Sequence, residues 1–187
     1  MSKRKKEKAK EPLTPERVIR ARIHRLADWS EITSFFIKLI WMIVFMVLLF
    51  GVFFGITPMK NNDMSPRISS GDLLLYYRLE NRFHSQVVFE KDRKQYVGRI
   101  VAGGGDSVEV TDDSTLKINN SAMFESDIFY PTPKYGDEVA YPVALEENQY
   151  FILCDYRNGA KDSRYFGAVS QSEIKGKVLA VLRRSSL

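Results

Sequence analysis

The sequence predicts a mainly β protein in which a single N-terminal transmembrane helix precedes an antiparallel β domain. Two observations support this fold class. Residues 35–56 form an apolar run with one charge, Lys38, near its start. Beyond residue 57, short apolar runs alternate with turn residues, and no stretch repeats at a long helical period. Runs of this length, bounded by turn residues, are typical of strands.

The apolar run is long enough to cross a membrane. As a helix, residues 35–56 would rise about 33 Å, which exceeds the roughly 30 Å of a bilayer's hydrocarbon core. A cleaved signal peptide is the competing interpretation, but its apolar core is only about 7–15 residues long and lies nearer the terminus. The pattern therefore favours an uncleaved anchor in contact with membrane lipid.

Charge is concentrated before this run. Residues 1–38 hold 11 Lys or Arg against 5 Asp or Glu. An excess of basic residues before a span predicts a cytoplasmic N-terminus and an extracellular C-terminal domain in the cell membrane. The predicted parts are a cytoplasmic basic tail and amphipathic helix at 1–34, the transmembrane helix at 35–56 and an extracytoplasmic β domain at 57–187.

The basic tail has a second interpretation. Residues 2–10 have no apolar face to bury and are predicted to be disordered. A nucleic-acid patch has the same composition, but the span that follows explains the charge better, so we expect no nucleic-acid partner. A helix is expected to begin at Thr14 and Pro15, which have the character of an N-cap and a first-turn proline.

Other residue types limit the chemistry further. Cys154 is the single cysteine, so an internal disulfide is excluded. His84 has no second His or Cys nearby in the sequence. We therefore predict neither a metal site nor a cofactor. A hairpin is expected over Val108–Asn120, because Asp112-Asp113-Ser114 is a turn sequence. Strands are predicted at 73–77, 86–89, 96–101, 107–110, 116–118, 150–153 and 177–182.

Three segments of the β domain bear on function, and we call them the first, second and third boxes. They read Asp63-Met64-Ser65-Pro66; Tyr96-Val97-Gly98-Arg99-Ile100-Val101-Ala102-Gly103-Gly104-Gly105-Asp106; and Cys154-Asp155-Tyr156-Arg157-Asn158-Gly159-Ala160-Lys161-Asp162-Ser163-Arg164-Tyr165-Phe166-Gly167. In this order they resemble the active-site boxes of bacterial type I signal peptidases, the membrane-bound Ser-Lys proteases. The third box is the most specific, because it keeps the family's spacing at Asp155, Arg157, Asp162, Ser163, Arg164 and Gly167.

The resemblance also shows what this chain has replaced. In the family, the serine of the first box attacks the substrate after a buried lysine of the second box takes its proton. Asp63 stands at the serine position and Gly98 at the lysine position. Ala160 replaces the serine that helps to orient that lysine. The resemblance therefore implies a signal-peptidase-like domain without its Ser-Lys dyad.

The same replacements occur in the signal-peptidase-like proteins of Gram-positive bacteria that assist the assembly of sortase-built pili, which this sequence resembles most. This implies a non-proteolytic assembly or chaperone role, with pilin, sortase or both as partners. A cleft that takes an extended peptide as an added strand, with a floor widened at Gly98, is expected to involve Asp63, Met64, Pro66, Tyr96, Val97, Gly98 and Arg99. Residues expected to brace the fold are Asp155, Arg157, Asp162, Ser163 and Arg164, with arginine pairing the aspartates.

An active signal peptidase with an unconventional residue set is the alternative. Paired aspartates can share a proton and activate water, and a hydroxyl can be activated by a desolvated amine. A third class is a lipid-surface scaffold in which only the anchor matters. The residue sets open to an active enzyme are Asp63 with Asp155 or Asp162, and Ser65 with Lys60 or Lys161.

Overall fold

The computed structural model describes residues 14–80, 84–136 and 138–183, except the side chains of residues 21 and 23–28. The predicted tail at 2–10 lies outside these residues. The described chain is mainly β, as predicted. Its elements are α1 (Pro15–Phe53), β1 (Phe54–Pro58), β2 (Leu73–Tyr77), β3 (Gln86–Lys91), β4 (Lys94–Ala102), β5 (Ser107–Val110), β6 (Leu116–Ile118), β7 (Ser121–Ala122), β8 (Val143–Ala144), β9 (Gln149–Leu153), α2 (Ser163–Phe166), β10 (Val169–Ser170), a 3-10 turn (Gln171–Glu173) and β11 (Ile174–Leu182).

Helix α1 begins where the N-cap pattern predicts. The carbonyl of Thr14 accepts hydrogen bonds from the backbone N–H groups of Arg17 and Val18 at 3.0 and 3.3 Å. Within α1, Trp29–Phe53 is apolar and long enough to cross a bilayer, with a rise of about 38 Å. This helix is a candidate membrane anchor. The chain divides into two compact units after Leu48.

The apolar run does not stay helical to its end. The helix stops at Phe53, and Phe54, Gly55 and Ile56, which the sequence analysis placed in the span, belong to β1. Strand β1 pairs antiparallel with β2, so that Ile56 lies opposite Leu75. Composition alone does not separate a strand from the helix it continues, because both are apolar runs.

Two antiparallel sheets form the β domain. The larger has the strand order β1-β2-β11-β3-β4-β9-β10, and the smaller has the order β7-β6-β5-β8. Each predicted strand is present, with shifts at some ends. The predicted hairpin is β5–β6, in which Val108 lies opposite Ile118. Strands β7, β8 and β10, which are two residues each, were not predicted, and neither was β1, which continues the apolar run.

One buried cluster joins all three boxes. Met64 of the first box is fully buried there, with Val97 of the second and Ala160 of the third. We call it the Met64 cluster. Its buried members are Met59, Met64, Ile68, Leu74, Tyr76, Val88, Val97, Cys154 and Ala160.

Strand β11 depends on a glycine where it changes register against β3. Gly176 has a φ of +154°, and a Cβ built on it would lie 2.2 Å from the Tyr77 carbonyl oxygen. A backbone atom in a paired strand has little room to move away, so a side chain here costs stability.

We expect Gly176→Ala to lower the free energy of unfolding by about 1–3 kcal/mol, the range of a strained backbone position. Thermal melting of the detergent-solubilised protein, followed by circular dichroism, measures it. Gly51→Ala is the control, because a Cβ at Gly51 meets nothing within 4 Å. Equal melting temperatures for the two variants would contradict the role of Gly176.

Candidate functional site

Backbone and sulfur contacts hold the three boxes together. The carbonyl of Asp63 accepts a hydrogen bond from the Tyr156 N–H at 2.9 Å. The Asp155 N–H donates to the Met64 sulfur at 3.4 Å. Cys154 Sγ lies 3.5 Å from the Val97 carbonyl oxygen. The three segments that resemble the family's boxes therefore converge on one site, although they are separated by tens of residues in the sequence.

Asp63 occupies the position that the resemblance equates with the nucleophile. It lies in the turn after β1 and is half-buried. Asn61 Nδ2 donates to its Oδ2 at 2.5 Å. Burial, together with the nearby Asp162 carboxylate, raises the pKa of Asp63 above its ordinary value of 3.8. The carboxyl is thus poised to hold a proton at a higher pH than an exposed aspartate.

Asp155 and Asp162 of the third box each form an ion pair with an arginine. Arg99 donates to both oxygens of Asp155, at 2.8 and 2.7 Å. Arg164 does the same to Asp162, at 2.9 and 2.8 Å, and Asp162 is fully buried. In each pair the guanidinium binds both carboxylate oxygens, in the bidentate geometry of strong charge-assisted hydrogen bonds. Neither arrangement suits the proton sharing that aspartyl-type chemistry needs.

Two arginines, Arg157 and Arg99, have partners that differ from those expected from the sequence. Arg157 does not pair with an aspartate. Its Nη2 donates to both oxygens of Glu125 at 2.8 Å, and its Nη1 donates to Thr132 Oγ1 at 2.7 Å. Arg99, which was expected to line the cleft, instead pairs with Asp155. Spacing along the chain could not reveal Glu125, since it lies in an irregular segment 32 residues before Arg157.

A dyad formed by Ser65 with Lys60 or Lys161 would need a buried lysine, and neither lysine is buried. Lys60 and Lys161 are both exposed, and Ser65 is only partly buried. The Nζ of Lys161 lies over the Tyr165 ring, 4.7 Å from its centroid. A lysine acts as a base near neutral pH when burial keeps it uncharged. The exposed setting of these two lysines gives that route no support.

Cys154 is the remaining nucleophilic side chain at the site. It is almost fully buried in the Met64 cluster. Burial raises the pKa of the Cys154 thiol well above its usual range, and the carboxylates of Asp162 and Asp63 add to this shift. Since the thiolate is the reactive form, this thiol stays protonated and packs as a small apolar group.

The floor beneath Gly98 is filled, and the expectation of a wider cleft there is wrong. A Cβ built on Gly98 would lie 2.5 Å from Ile152 Cγ2 and 3.2 Å from the Leu153 carbonyl oxygen. Strand β9 therefore occupies the space into which a side chain at residue 98 would point. Ala160, the position of the orienting serine, is also buried.

A narrow groove lies beside the boxes, between β1 and β4. It is lined by residues 57–61 on one side and 95–97 on the other, and its volume is about 20 Å³. Thr57 Oγ1 donates to Gln95 Oε1 across it at 2.7 Å. We call this space the β1–β4 groove.

Only part of the predicted cleft lines this groove. Tyr96 and Val97 do so. Pro66 lines a separate cavity of about 90 Å³ with Arg67 and Tyr130. Residues 57–61 and Gln95 were not predicted to line the groove, because no strand was expected before residue 73 and the strand of the second box was expected to begin at Tyr96. The position of 57–61, directly before the first box, was the available signal. Asp63, Met64, Gly98 and Arg99 do not line the groove.

Larger cavities of about 140 and 220 Å³ flank the segment 123–132. Neither Asp63 nor Gly98, the two dyad positions, lines these cavities. Two ion pairs, Arg157–Glu125 and Arg67–Asp127, connect the segment to the third box and to the residue that follows the first box. Among the described residues, no group of three or more His, Cys, Asp or Glu side chains is placed to hold a metal ion.

We expect Gly98→Lys to lower the free energy of unfolding by about 1–3 kcal/mol, because it overpacks the core against Ile152. Ile152→Ala removes the clashing methyl group and costs about 2–5 kcal/mol alone. The double variant should be more stable than the sum of the two changes predicts. Denaturant unfolding of all four proteins measures this coupling. Simple additivity would contradict a filled floor.

We expect Asp63→Asn to be more stable than the wild type at pH 7, by a margin that closes as the pH falls to 3.8. A raised pKa means that the folded protein binds this proton more tightly than the unfolded chain does. The charged form therefore costs stability above the folded pKa, and the cost disappears below the unfolded one. Thermal melting at pH 7 and pH 4 measures the margin.

Asp113→Asn is the control with the opposite sign. The Thr111 hydroxyl lowers the pKa of Asp113, so this variant should lose stability at pH 7 and approach the wild type as the pH falls. An Asp63→Asn margin that is independent of pH would contradict the role of burial at Asp63.

Comparison with known proteins agrees with the boxes. The family model described as signal peptidase, peptidase S26, matches residues 32–182. Signal peptidase IB of Staphylococcus aureus is 28% identical over 158 residues, covering 73% of this chain and 82% of that protein. A probable signal peptidase I-2 of Synechocystis is 26% identical over 131 residues, covering 63% of this chain and 57% of that protein.

Among solved structures, a signal peptidase I from Enterococcus faecalis V583 is 27% identical. The similarity covers 54% of this chain and 97% of that one, with a TM-score of 0.42. Because the family model spans most of the sequence, this chain belongs to the signal peptidase family, peptidase S26.

Proposed function

We propose that this protein is a membrane-anchored member of the signal peptidase family that binds polypeptide without cleaving it, and that it acts as an assembly or chaperone factor for sortase-built pili. One observation carries the proposal. The positions that the resemblance equates with nucleophile, base and orienting hydroxyl hold Asp63, Gly98 and Ala160, and β9 packs against the second of them.

The chemistry of the site supports binding over cleavage. A serine-type mechanism needs a hydroxyl whose proton passes to a neutral amine. Asp63 offers a carboxylate instead, and Gly98 offers no side chain. The neighbouring Asp155 and Asp162 are held by arginines. With none of these groups in a suitable role, a bound peptide would not be attacked.

The strands at the groove support the binding half of the proposal. Strand β1 is the edge of the larger sheet. Strand β4 pairs with β9 only from Arg99 onward, and Val97 and Gly98 contact Cys154 and β9, so its first three residues, 94–96, have one edge that β9 does not cover. An extended peptide can add to such edges through main-chain hydrogen bonds, while pockets for its side chains provide selectivity.

The anchor and the charges before it support the proposed partner and sidedness. The basic residues before the span favour an N-terminus in the cytoplasm and a β domain outside the cell. A polypeptide held at the same membrane, such as a pilin with its signal region or a sortase, is the partner that fits this location. Lipid contact is confined to the anchor in this proposal.

An active signal peptidase with an unconventional residue set is the second candidate. The family match and the raised pKa of Asp63 favour it. The occupied oxygens of Asp155 and Asp162 and the exposure of Lys60 and Lys161 oppose it.

A paired assay separates the two candidates. We expect the full-length protein, in lipid nanodiscs, to leave a pre-pilin intact at every protein concentration, while Staphylococcus aureus signal peptidase IB serves as the control for cleavage of a pre-protein. Hydrogen exchange with the pilin signal region in excess should slow at residues 94–96 and stay unchanged in β5. A scission product that is lost on Asp63→Asn would establish the enzyme, and unchanged exchange at 94–96 would contradict groove binding.

A further inference from the structure

We propose that the Thr57–Gln95 hydrogen bond keeps the β1–β4 groove closed and that an incoming peptide must displace it. This inference rests on the proposed binding function and concerns how access to that same groove is controlled. The bridge consists of the Thr57 hydroxyl donating to Gln95 Oε1 at 2.7 Å. It joins two strands that are not neighbours in the sheet.

The sheet order gives the bridge its significance. Strands β2, β11 and β3 lie between β1 and β4 in the order of the larger sheet. Side chains of β1 and β4 meet nevertheless, so the sheet curves enough to bring these two strands to opposite sides of one groove. Adjacent strands lie about 4.8 Å apart. A peptide strand placed between these two strands would thus need them roughly 9.6 Å apart.

The bridge is long enough to stand in for that missing strand. The Thr57 oxygen is two bonds from its Cα, and the Gln95 oxygen is four bonds from its own. With the 2.7 Å contact between them, the two side chains can span up to about 10 Å between backbones. They therefore cross the groove to which the proposed function assigns the peptide.

The groove is narrow between its two walls. Its volume is about 20 Å³, whereas a cavity must offer at least about 10–15 Å³ to hold one water molecule. The space between the walls is therefore close to that of one water molecule, less than the width of an added strand. Binding therefore requires the groove to open, and the bridge is the polar contact that crosses it.

The surroundings of the two side chains make the bridge reversible. Thr57 is 6% exposed, while Gln95 is exposed to solvent. Water can therefore compete for Gln95, and a neutral hydrogen bond of this kind contributes only a modest net stability. The backbone groups of an added strand could replace it. The bridge is thus strong enough to reduce affinity and weak enough to be displaced.

Two conservative changes test this inference. Gln95→Ala removes the acceptor, and Thr57→Val removes the donor with little change of shape. We expect each variant, full-length in nanodiscs, to bind a fluorescein-labelled peptide of the pilin signal region about 2- to 10-fold more tightly than the wild type does. The double variant should gain no more than either single one, since all three lose the same contact.

Gln149→Ala is the matched control, because Gln149 makes a similar side-chain hydrogen bond, to Glu146, away from the groove. Its affinity should equal that of the wild type. Equal or weaker binding by the bridge variants would overturn this inference and leave the proposed function standing. Absence of binding by every protein, including the wild type, would instead count against the proposed function.

A measurement without peptide keeps the inference testable in that last case. Loss of the bridge should speed hydrogen exchange at residues 94–96 in Gln95→Ala and Thr57→Val, and should leave exchange in β5 unchanged. Exchange at 94–96 that matches the wild type in both variants would overturn the inference without any ligand. Thermal melting of each variant confirms that faster exchange reflects local opening.

Discussion

The buried ion pair between Asp162 and Arg164 is the interaction on which the site depends. Both side chains are fully buried. Asp162 also accepts a hydrogen bond from the Cys154 N–H at 3.0 Å, and Arg164 donates to the Arg157 carbonyl at 2.8 Å. Removing one member would leave an uncompensated charge in the interior, which costs several kcal/mol. The pair therefore fixes β9 against the third box, and β9 in turn positions β4 and the first box.

This brace is independent of the chemistry that the family performs. Its residues bind one another, and Arg157 extends it to Glu125 and Thr132. Of the positions that the resemblance equates with the catalytic machinery, Gly98 and Ala160 are small, and Asp63 carries a half-buried carboxyl group. Ile152 fills the space next to Gly98, and Cys154 and Ala160 pack into the Met64 cluster. Packing of this kind stabilises the fold without a desolvated lysine, whose burial would be costly.

Much of the fold could be predicted from the sequence, because strands here are short apolar runs separated by turn residues. Helix α1 and strand β2 are clear examples. The end of the span was predicted wrongly, since Phe54–Ile56 is as apolar as the helix before it. The convergence of the boxes followed from resemblance. The partners of Arg157 and Asp155 and the filled floor under Gly98 did not, because they depend on residues distant in sequence whose side chains meet only in the folded chain.

The direct passage from helix to strand has a consequence for which polypeptides can reach the groove. Strand β1 starts at the residue after α1 ends. The ring of Phe54 lies between those of Phe50 and Tyr77, with centroid distances of 5.7 and 5.6 Å. Thr57 comes four positions after Phe53, which is about 13 Å of extended chain. With α1 as the anchor, the proposed peptide binding would be restricted to a thin layer next to the bilayer. Chains confined to that layer meet at a high effective concentration, so even weak binding at the groove would suffice for them, whereas freely diffusing chains would rarely be held.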